Sequence, residues 1–156
     1  MPSPHVRSGV CSRTAIQRVL VVEDDPMLVS ILGTILTESG FVVSSATTLA
    51  DGIAAVTRGT FDLIITDAFI PWSASATEGL RITSTAILAV TGDTPVLLCS
   101  GHRITDAAAL AAGFQGLLAK PFDLEQFEAT VRRLLARDAH GEGFPPGEPA
   151  GCQPNA

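Results

Sequence analysis

Acidic residues follow two runs of apolar, mostly β-branched residues in this sequence. Glu23, Asp24 and Asp25 come directly after RVLVV, and Asp67 comes directly after LIIT. Carboxylates held close together repel one another, so they need a cation or a shared proton. Carboxylate oxygens are also the hard ligands that Mg²⁺ prefers. If folding brings the two acidic points together, the sequence predicts a Mg²⁺ site there.

A hydroxyl and an ammonium group stand at equivalent points later in the chain. Ser100 follows PVLLC and Lys120 follows GLLA. A lysine and a hydroxyl facing a metal can neutralise and hydrogen-bond phosphoryl oxygens. A carboxylate beside that metal can act as the nucleophile and form an aspartyl-phosphate. These residue types therefore indicate Mg²⁺-assisted phosphoryl transfer onto an aspartate.

The elements that must position these groups follow from the hydrophobic pattern. Apolar runs alternate with segments of helical periodicity, which predicts an α/β fold of five strands and five helices. The predicted strands are 18–23, 41–45, 61–66, 95–99 and 116–119, and the predicted helices are 26–39, 49–58, 79–90, 104–112 and 124–137. Such alternation favours a doubly wound parallel sheet, in which sites lie beyond the carboxyl ends of the strands.

Two aspartates in this pattern have capping signatures. Asp25 precedes Pro26, which suits the first turn of a helix, so Asp25 is interpreted as a helix cap rather than a metal ligand. Asp123 has Gln126 three residues later, a capping-box pattern that predicts the start of the last helix.

Length and composition exclude several functional classes. The chain has 156 residues, a net charge of −6 and 46% hydrophobic residues, which favours one folded domain and argues against direct nucleic-acid binding. No apolar run is long enough for membrane insertion, and the N-terminus has no secretory signal. Three widely spaced cysteines do not suggest a disulfide framework, so we expect a cytoplasmic protein. We expect a flexible arm over 1–16, the domain over 17–139 and a disordered Gly/Pro-rich tail over 140–156.

The motifs at the strand ends resemble those of a known family, the receiver domains of two-component response regulators. They are LVVEDDP at 20–26, DLIITD ending at Asp67, Pro71, Ser100-Gly101, and AKPF at 119–122. Each motif is weak alone, but the ordered set covers the strand ends of nearly the whole predicted domain. The resemblance implies a flavodoxin-like sheet with strand order 2-1-3-4-5.

The resemblance also implies a role for each site residue and a set of partners. Asp67 would accept the phosphoryl group, Ser100 and Lys120 would bind it, and Glu23, Asp24, Asp67 and the Phe69 backbone carbonyl would hold Mg²⁺. The donor would be a histidine kinase or phosphotransfer protein, and the signal would pass to an unknown downstream protein through a changed surface. The chain would act as a stand-alone signalling phosphoprotein rather than an enzyme, with no organic cofactor, and homodimer formation is left open.

Two departures from the family pattern leave an alternative open. Leu117 occupies a position that is usually aromatic, and the loop from Pro71 to Gly79, which contains Trp72, is longer than usual. They motivate a second hypothesis, a phosphorylation-independent pseudo-receiver that acts only as an interaction module. A phosphatase with an aspartyl nucleophile is disfavoured, because Phe69 stands where such enzymes commonly carry a second carboxylate. His102 is interpreted as a solvated loop residue.

Overall fold

The computed structural model describes residues 15–69 and 74–137, and these form a parallel sheet with helices on both faces. The strands are β1 (Arg18–Val22), β2 (Val42–Ala46), β3 (Leu63–Asp67), β4 (Val96–Ser100) and β5 (Gly116–Ala119). The helices are α1 (Pro26–Glu38), α2 (Leu49–Arg58), α3 (Ala76–Thr91), α4 (Asp106–Ala111) and α5 (Leu124–Arg137). The strand order is β2-β1-β3-β4-β5, which confirms the predicted doubly wound fold.

The reversal of strand order falls between β1 and β3. The chain moves from β1 outward to β2, then returns to place β3 on the other side of β1. In the register, Val22 lies beside Thr66, so the residues that follow each strand emerge at the same edge. This is the position where doubly wound sheets bind their ligands.

Alternation along the strands divides the interior into two cores. The α1/α5 core lies between one sheet face and helices α1 and α5, and its buried members include Val21, Ile65, Leu118 and Phe127. The α2–α4 core lies between the other face and helices α2, α3 and α4, around residues such as Leu98. Strand residues that are buried on both faces explain the continuous apolar runs in the sequence.

Helix α3 begins three residues earlier than the sequence analysis predicted. Ser75 is its N-cap, and the Ser75 side chain accepts a hydrogen bond from the backbone N–H of Glu78. Ser75 and Glu78 have the spacing of a capping box, which the surrounding small polar residues obscured. Residues 76–78, which were predicted as loop, therefore belong to the helix. The other boundaries agree with the prediction to within two residues, and α2, β5 and α5 match it in full.

Some expectations fall on residues outside the described part. These are most of the predicted N-terminal arm, the predicted tail, Pro71 and Trp72. In the described ranges, none of the helices combines the length and apolar character that a membrane crossing requires.

Candidate functional site

The carboxyl ends of β1, β3 and β5 bring three acids and one lysine together. The Lys120 Nζ lies 2.6 Å from Glu23 Oε2 and 2.8 Å from Asp67 Oδ1. One carboxylate oxygen from each of Glu23, Asp24 and Asp67 lies within 4.8 Å of the other two. The two ion pairs of Lys120 thus join residues 97 and 53 positions apart in the sequence, and together with Asp24 these groups form one charged cluster, as predicted from the strand ends.

Alternation along the strands explains why three of these side chains meet. Glu23 follows Val21 by two positions, Asp67 follows Ile65, and Lys120 follows Leu118, so all three continue the row that faces the α1/α5 core. The backbone N–H of Lys120 also donates to the carbonyl of Ser100 at 2.8 Å, which ties the end of β5 to β4.

Burial and hydrogen bonding to a charged partner shift the pKa values of Glu23 and Lys120 in opposite directions. Burial raises the pKa of Glu23, and this outweighs the lowering effect of its hydrogen bond from Lys120. Burial lowers the pKa of Lys120, but its hydrogen bonds to Asp67 and Glu23 outweigh it and raise the pKa. Lys120 is therefore held as an ammonium ion against the two carboxylates.

Both oxygens of the Asp67 carboxylate have a donor. Oδ1 accepts from Lys120, and Oδ2 accepts from the backbone N–H of Phe69 at 2.8 Å. Phe69 has a φ of 45°, a value that L-residues other than glycine rarely adopt. The bond from the Phe69 amide to the side chain two residues earlier is an Asx turn. The Phe69 side chain packs against the α2–α4 core.

Ser100 stands at the same edge, at the end of β4. It is only 1% exposed, and its Oγ accepts a hydrogen bond from the backbone N–H of His102 at 3.0 Å. His102 itself is exposed, as the sequence analysis expected. In the register, Cys99 is the partner of Asp67, so Ser100 lies one residue beyond it. Burial raises the pKa of the Cys99 thiol to about 12, which keeps this neighbouring cysteine neutral.

The acids fit a divalent cation by charge and by ligand chemistry. Three carboxylates against one ammonium ion leave two negative charges uncompensated at this edge. The atoms of this cluster that could bind a metal ion are all carboxylate oxygens, the ligand type suited to Mg²⁺. Asp25 is not among them: its side chain accepts from the N–H groups of Met27 and Leu28, which confirms the prediction that it is a helix cap.

Two features of the site region were not predicted from the sequence. One is the left-handed backbone at Phe69. The other is a hydrogen bond from the Thr83 hydroxyl, in α3, to the carbonyl oxygen of Ala68. The only signal in the sequence for Thr83 is a hydroxyl residue on the apolar stripe of a helix.

The chain is similar in sequence to a known domain family and to two named regulatory proteins. A family model described as the response regulator receiver domain matches residues 19–132. The transcriptional regulatory protein TcrA of Mycobacterium tuberculosis is 34% identical over 132 residues, covering 81% of this chain and 49% of TcrA. The transcriptional regulatory protein PrrA of Mycobacterium bovis is 35% identical over 122 residues, covering 77% of this chain and 50% of PrrA. The chain thus spans about half the length of these relatives.

Solved structures show the same fold. A CheY-like response regulator receiver domain protein from Methanospirillum hungatei matches with a TM-score of 0.66 at 21% identity, covering 82% of this chain and 100% of that one. The response regulator protein TrrA of Thermotoga maritima, solved in complex with Mg²⁺ and BeF, matches with a TM-score of 0.61 at 23% identity, covering 76% of this chain and 99% of that one.

Proposed function

The chain belongs to the response regulator receiver domain family, and from this membership we propose that Asp67 accepts a phosphoryl group from a histidine kinase or phosphotransfer protein. The observation that carries the proposal is the contact of the Lys120 ammonium with both Glu23 and Asp67, at 2.6 and 2.8 Å. This contact supports the proposal, because an ammonium ion that could pair with phosphoryl oxygens lies beside the proposed nucleophile.

The transfer makes one bond and breaks one. An oxygen of the Asp67 carboxylate attacks phosphorus, and the new O–P bond forms as the P–N bond to the donor histidine breaks. The electron pair of that bond leaves with the imidazole. Lys120 is placed to pair with the phosphoryl oxygens, and the Ser100 hydroxyl, now engaged by the His102 amide, would rotate to donate to them.

Glu23, Asp24, Asp67 and the Phe69 carbonyl are the groups that would hold Mg²⁺. The bound ion would supply charge neutralisation between the carboxylates and the incoming phosphoryl group. This assignment is supported by the proximity of the three carboxylates and by their uncompensated charge. The chain's own part is to keep these oxygens converged, which it does by placing them on adjacent strand ends.

A phosphorylated domain signals only if its structure changes in a way that a partner can detect. We propose that phosphorylation shifts a conformational equilibrium and so alters a protein-binding surface, in the cytoplasm. The matched relatives are transcriptional regulatory proteins by name, but the chain covers only about half of each. Action on DNA would therefore need an effector, supplied by another segment or another protein.

A pseudo-receiver is the second candidate, and Leu117 is the observation that favours it. Leu117 packs partly buried against the α2–α4 core, in the position that the family usually gives to an aromatic residue. A domain without that residue could bind partners independently of phosphate. The two hypotheses differ in whether Asp67 becomes modified.

Intact-mass measurement after incubation with acetyl phosphate and Mg²⁺ tests the proposal. We expect the unaltered chain to gain one phosphoryl group, Asp67→Asn to gain none, and chelation of Mg²⁺ by EDTA to abolish the gain. Asp93→Asn is the matched control, because Asp93 is an exposed acid that precedes β4, at the opposite end of that strand from Ser100. An unchanged mass for the unaltered chain would reject phosphoacceptor function and favour the pseudo-receiver.

A further inference from the structure

A buried hydroxyl in α3 lies outside the charged cluster of the candidate site. Thr83 is 0% exposed, and it lies on the core-facing stripe of the helix with Leu80 and Ile87. A hydroxyl taken out of water is destabilising unless it finds a hydrogen-bond partner. An apolar residue at this position would need no hydrogen-bond partner, so the group to which Thr83 donates indicates what the hydroxyl does.

The Thr83 hydroxyl differs from other helical threonine hydroxyls in the direction of its bond. Thr34, Thr37, Thr57, Thr91 and Thr130 each donate to a carbonyl of their own helix. Thr83 instead donates out of α3 to the carbonyl of Ala68, in the residue directly after Asp67. The bond therefore joins helix α3 to the segment that carries the candidate phosphoacceptor.

The acceptor carbonyl and the amide that contacts Asp67 belong to the same peptide unit. The oxygen of the Ala68–Phe69 peptide accepts from Thr83, and its N–H donates to Asp67 Oδ2. Since a peptide unit is planar, fixing its oxygen also fixes the direction of its N–H. Hydrogen bonds in such a chain also polarise one another.

The backbone conformation of Phe69 is unfavourable, so the peptide unit before it needs contacts that hold it in place. With φ at 45°, Phe69 occupies a region that is costly for a non-glycine residue and persists only where the surroundings enforce it. The Thr83 bond on one side and the packing of the Phe69 side chain on the other are the contacts that hold it.

We propose that Thr83 is a positioning residue for the phosphoacceptor, which acts by holding the Ala68–Phe69 peptide so that its N–H stays on Asp67 Oδ2. This inference rests on the proposed role of Asp67. It assigns the two carboxylate oxygens different environments, with Oδ2 fixed from within the loop and Oδ1 facing Lys120. The same constraint would orient the Phe69 carbonyl, which is a proposed metal ligand.

Three variants separate positioning from general packing. Thr83→Val keeps the shape of the side chain and removes the hydroxyl, whereas Thr83→Ser keeps the hydroxyl. Thr91→Val is the matched control, because Thr91 is a buried threonine of the same helix whose hydroxyl bonds only to Leu88. The readouts are the rate of phosphoryl uptake from acetyl phosphate and hydrogen exchange at the Phe69 amide.

We expect Thr83→Val to slow phosphoryl uptake about three- to tenfold, the effect of losing one hydrogen bond that orients the reacting group. Thr83→Ser and Thr91→Val should stay within about twofold of the unaltered chain on the same scale. The Phe69 amide should exchange slowly in the unaltered chain, and Thr83→Val should accelerate it more than the amides of β3. A purely structural effect of the variant would accelerate them all alike.

Three results would overturn the proposal: normal uptake by Thr83→Val, equal slowing by Thr91→Val, or acceleration at Phe69 no greater than in β3. Should Thr83→Val not fold, Thr83→Ala has the same expected outcomes, and fast exchange at Phe69 in the unaltered chain would also reject the contact. If the unaltered chain takes up no phosphoryl group, the proposed function fails, while the exchange comparison still decides whether Thr83 positions the Phe69 amide.

Discussion

The two faces of the sheet are packed in different ways. The α1/α5 core is built from large side chains, and it includes the stacked pair Phe122 and Phe127, whose ring centroids are 5.8 Å apart. Helix α3, on the other face, buries the hydroxyls of Thr83, Ser84 and Thr91. A cavity of about 320 Å³ lies at the β5 edge of the sheet, between α4, β5 and α5.

This difference divides the site between a face filled by large apolar side chains and a face that also buries hydroxyl groups. Glu23, Asp67 and Lys120 continue the strand rows of the α1/α5 core, so the charged groups stand on the side filled by large apolar side chains. Ser100 continues the row of Leu98 on the α2–α4 side. We infer that the α1/α5 face fixes the charged cluster, whereas the α2–α4 face contains the segments that can rearrange around it.

The largest expected effect that tests this comparison is the removal of one aromatic ring from each core. Phe127→Ala should lower the free energy of unfolding by about 3–5 kcal/mol, because Phe127 is fully buried and stacked on Phe122. Phe114→Ala should cost at least about 1 kcal/mol less, because Phe114 already lines the cavity. Urea unfolding followed by circular dichroism measures both. An equal or larger cost at Phe114 would contradict the comparison.

Two helical glycines give a second, smaller contrast, in which α2 approaches the sheet more closely at Gly52 than α1 approaches its neighbours at Gly33. A Cβ on Gly52 would lie 2.7 and 2.8 Å from the two Cγ atoms of Val22, a β-branched side chain that cannot turn aside easily, so Gly52→Ala should destabilise by about 1–3 kcal/mol. A Cβ on Gly33 in α1 would meet nothing within 4 Å, so Gly33→Ala should stabilise by about 0.5–1 kcal/mol. Thermal unfolding of the two variants and of the unaltered chain measures both changes in stability. A loss of stability with Gly33→Ala would show that α1 lies closer to its neighbours than the structure has it.

The sequence was sufficient for features whose cause is local. Strand and helix periods gave the order of elements, and short-range capping chemistry located the start of α1 at Asp25 and of α5 at Asp123, whose Oδ1 accepts from the Gln126 N–H. The charged cluster was also predictable, because one rule of parallel sheets places the ends of neighbouring strands at the same edge.

Features that depend on packing between distant elements were not predictable. The bond from Thr83 to Ala68 forms only when α3 lies against the end of β3, and the φ of Phe69 has no local signal in the sequence. The early start of α3 is a different case, because the Ser75 and Glu78 signal was present in the sequence. There the small polar residues before the helix favoured an interpretation as loop.

The smallest expected effect compares two consecutive leucines of β5 that face opposite cores. Leu118 is almost fully buried in the α1/α5 core, so Leu118→Phe should overpack it and cost about 1–3 kcal/mol of unfolding free energy. Leu117 lines the cavity of about 320 Å³, which can accept the added volume, so Leu117→Phe should change stability by less than about 1 kcal/mol. Urea unfolding of both variants under identical conditions provides the test. Leu117→Phe also returns an aromatic side chain to the position where the receiver family usually has one, so a tolerated substitution would mean that the fold retains the space for that residue. A cost at Leu117 as large as that at Leu118 would instead mean that the α2–α4 face has closed around leucine, and the contrast between the two faces would not hold at β5.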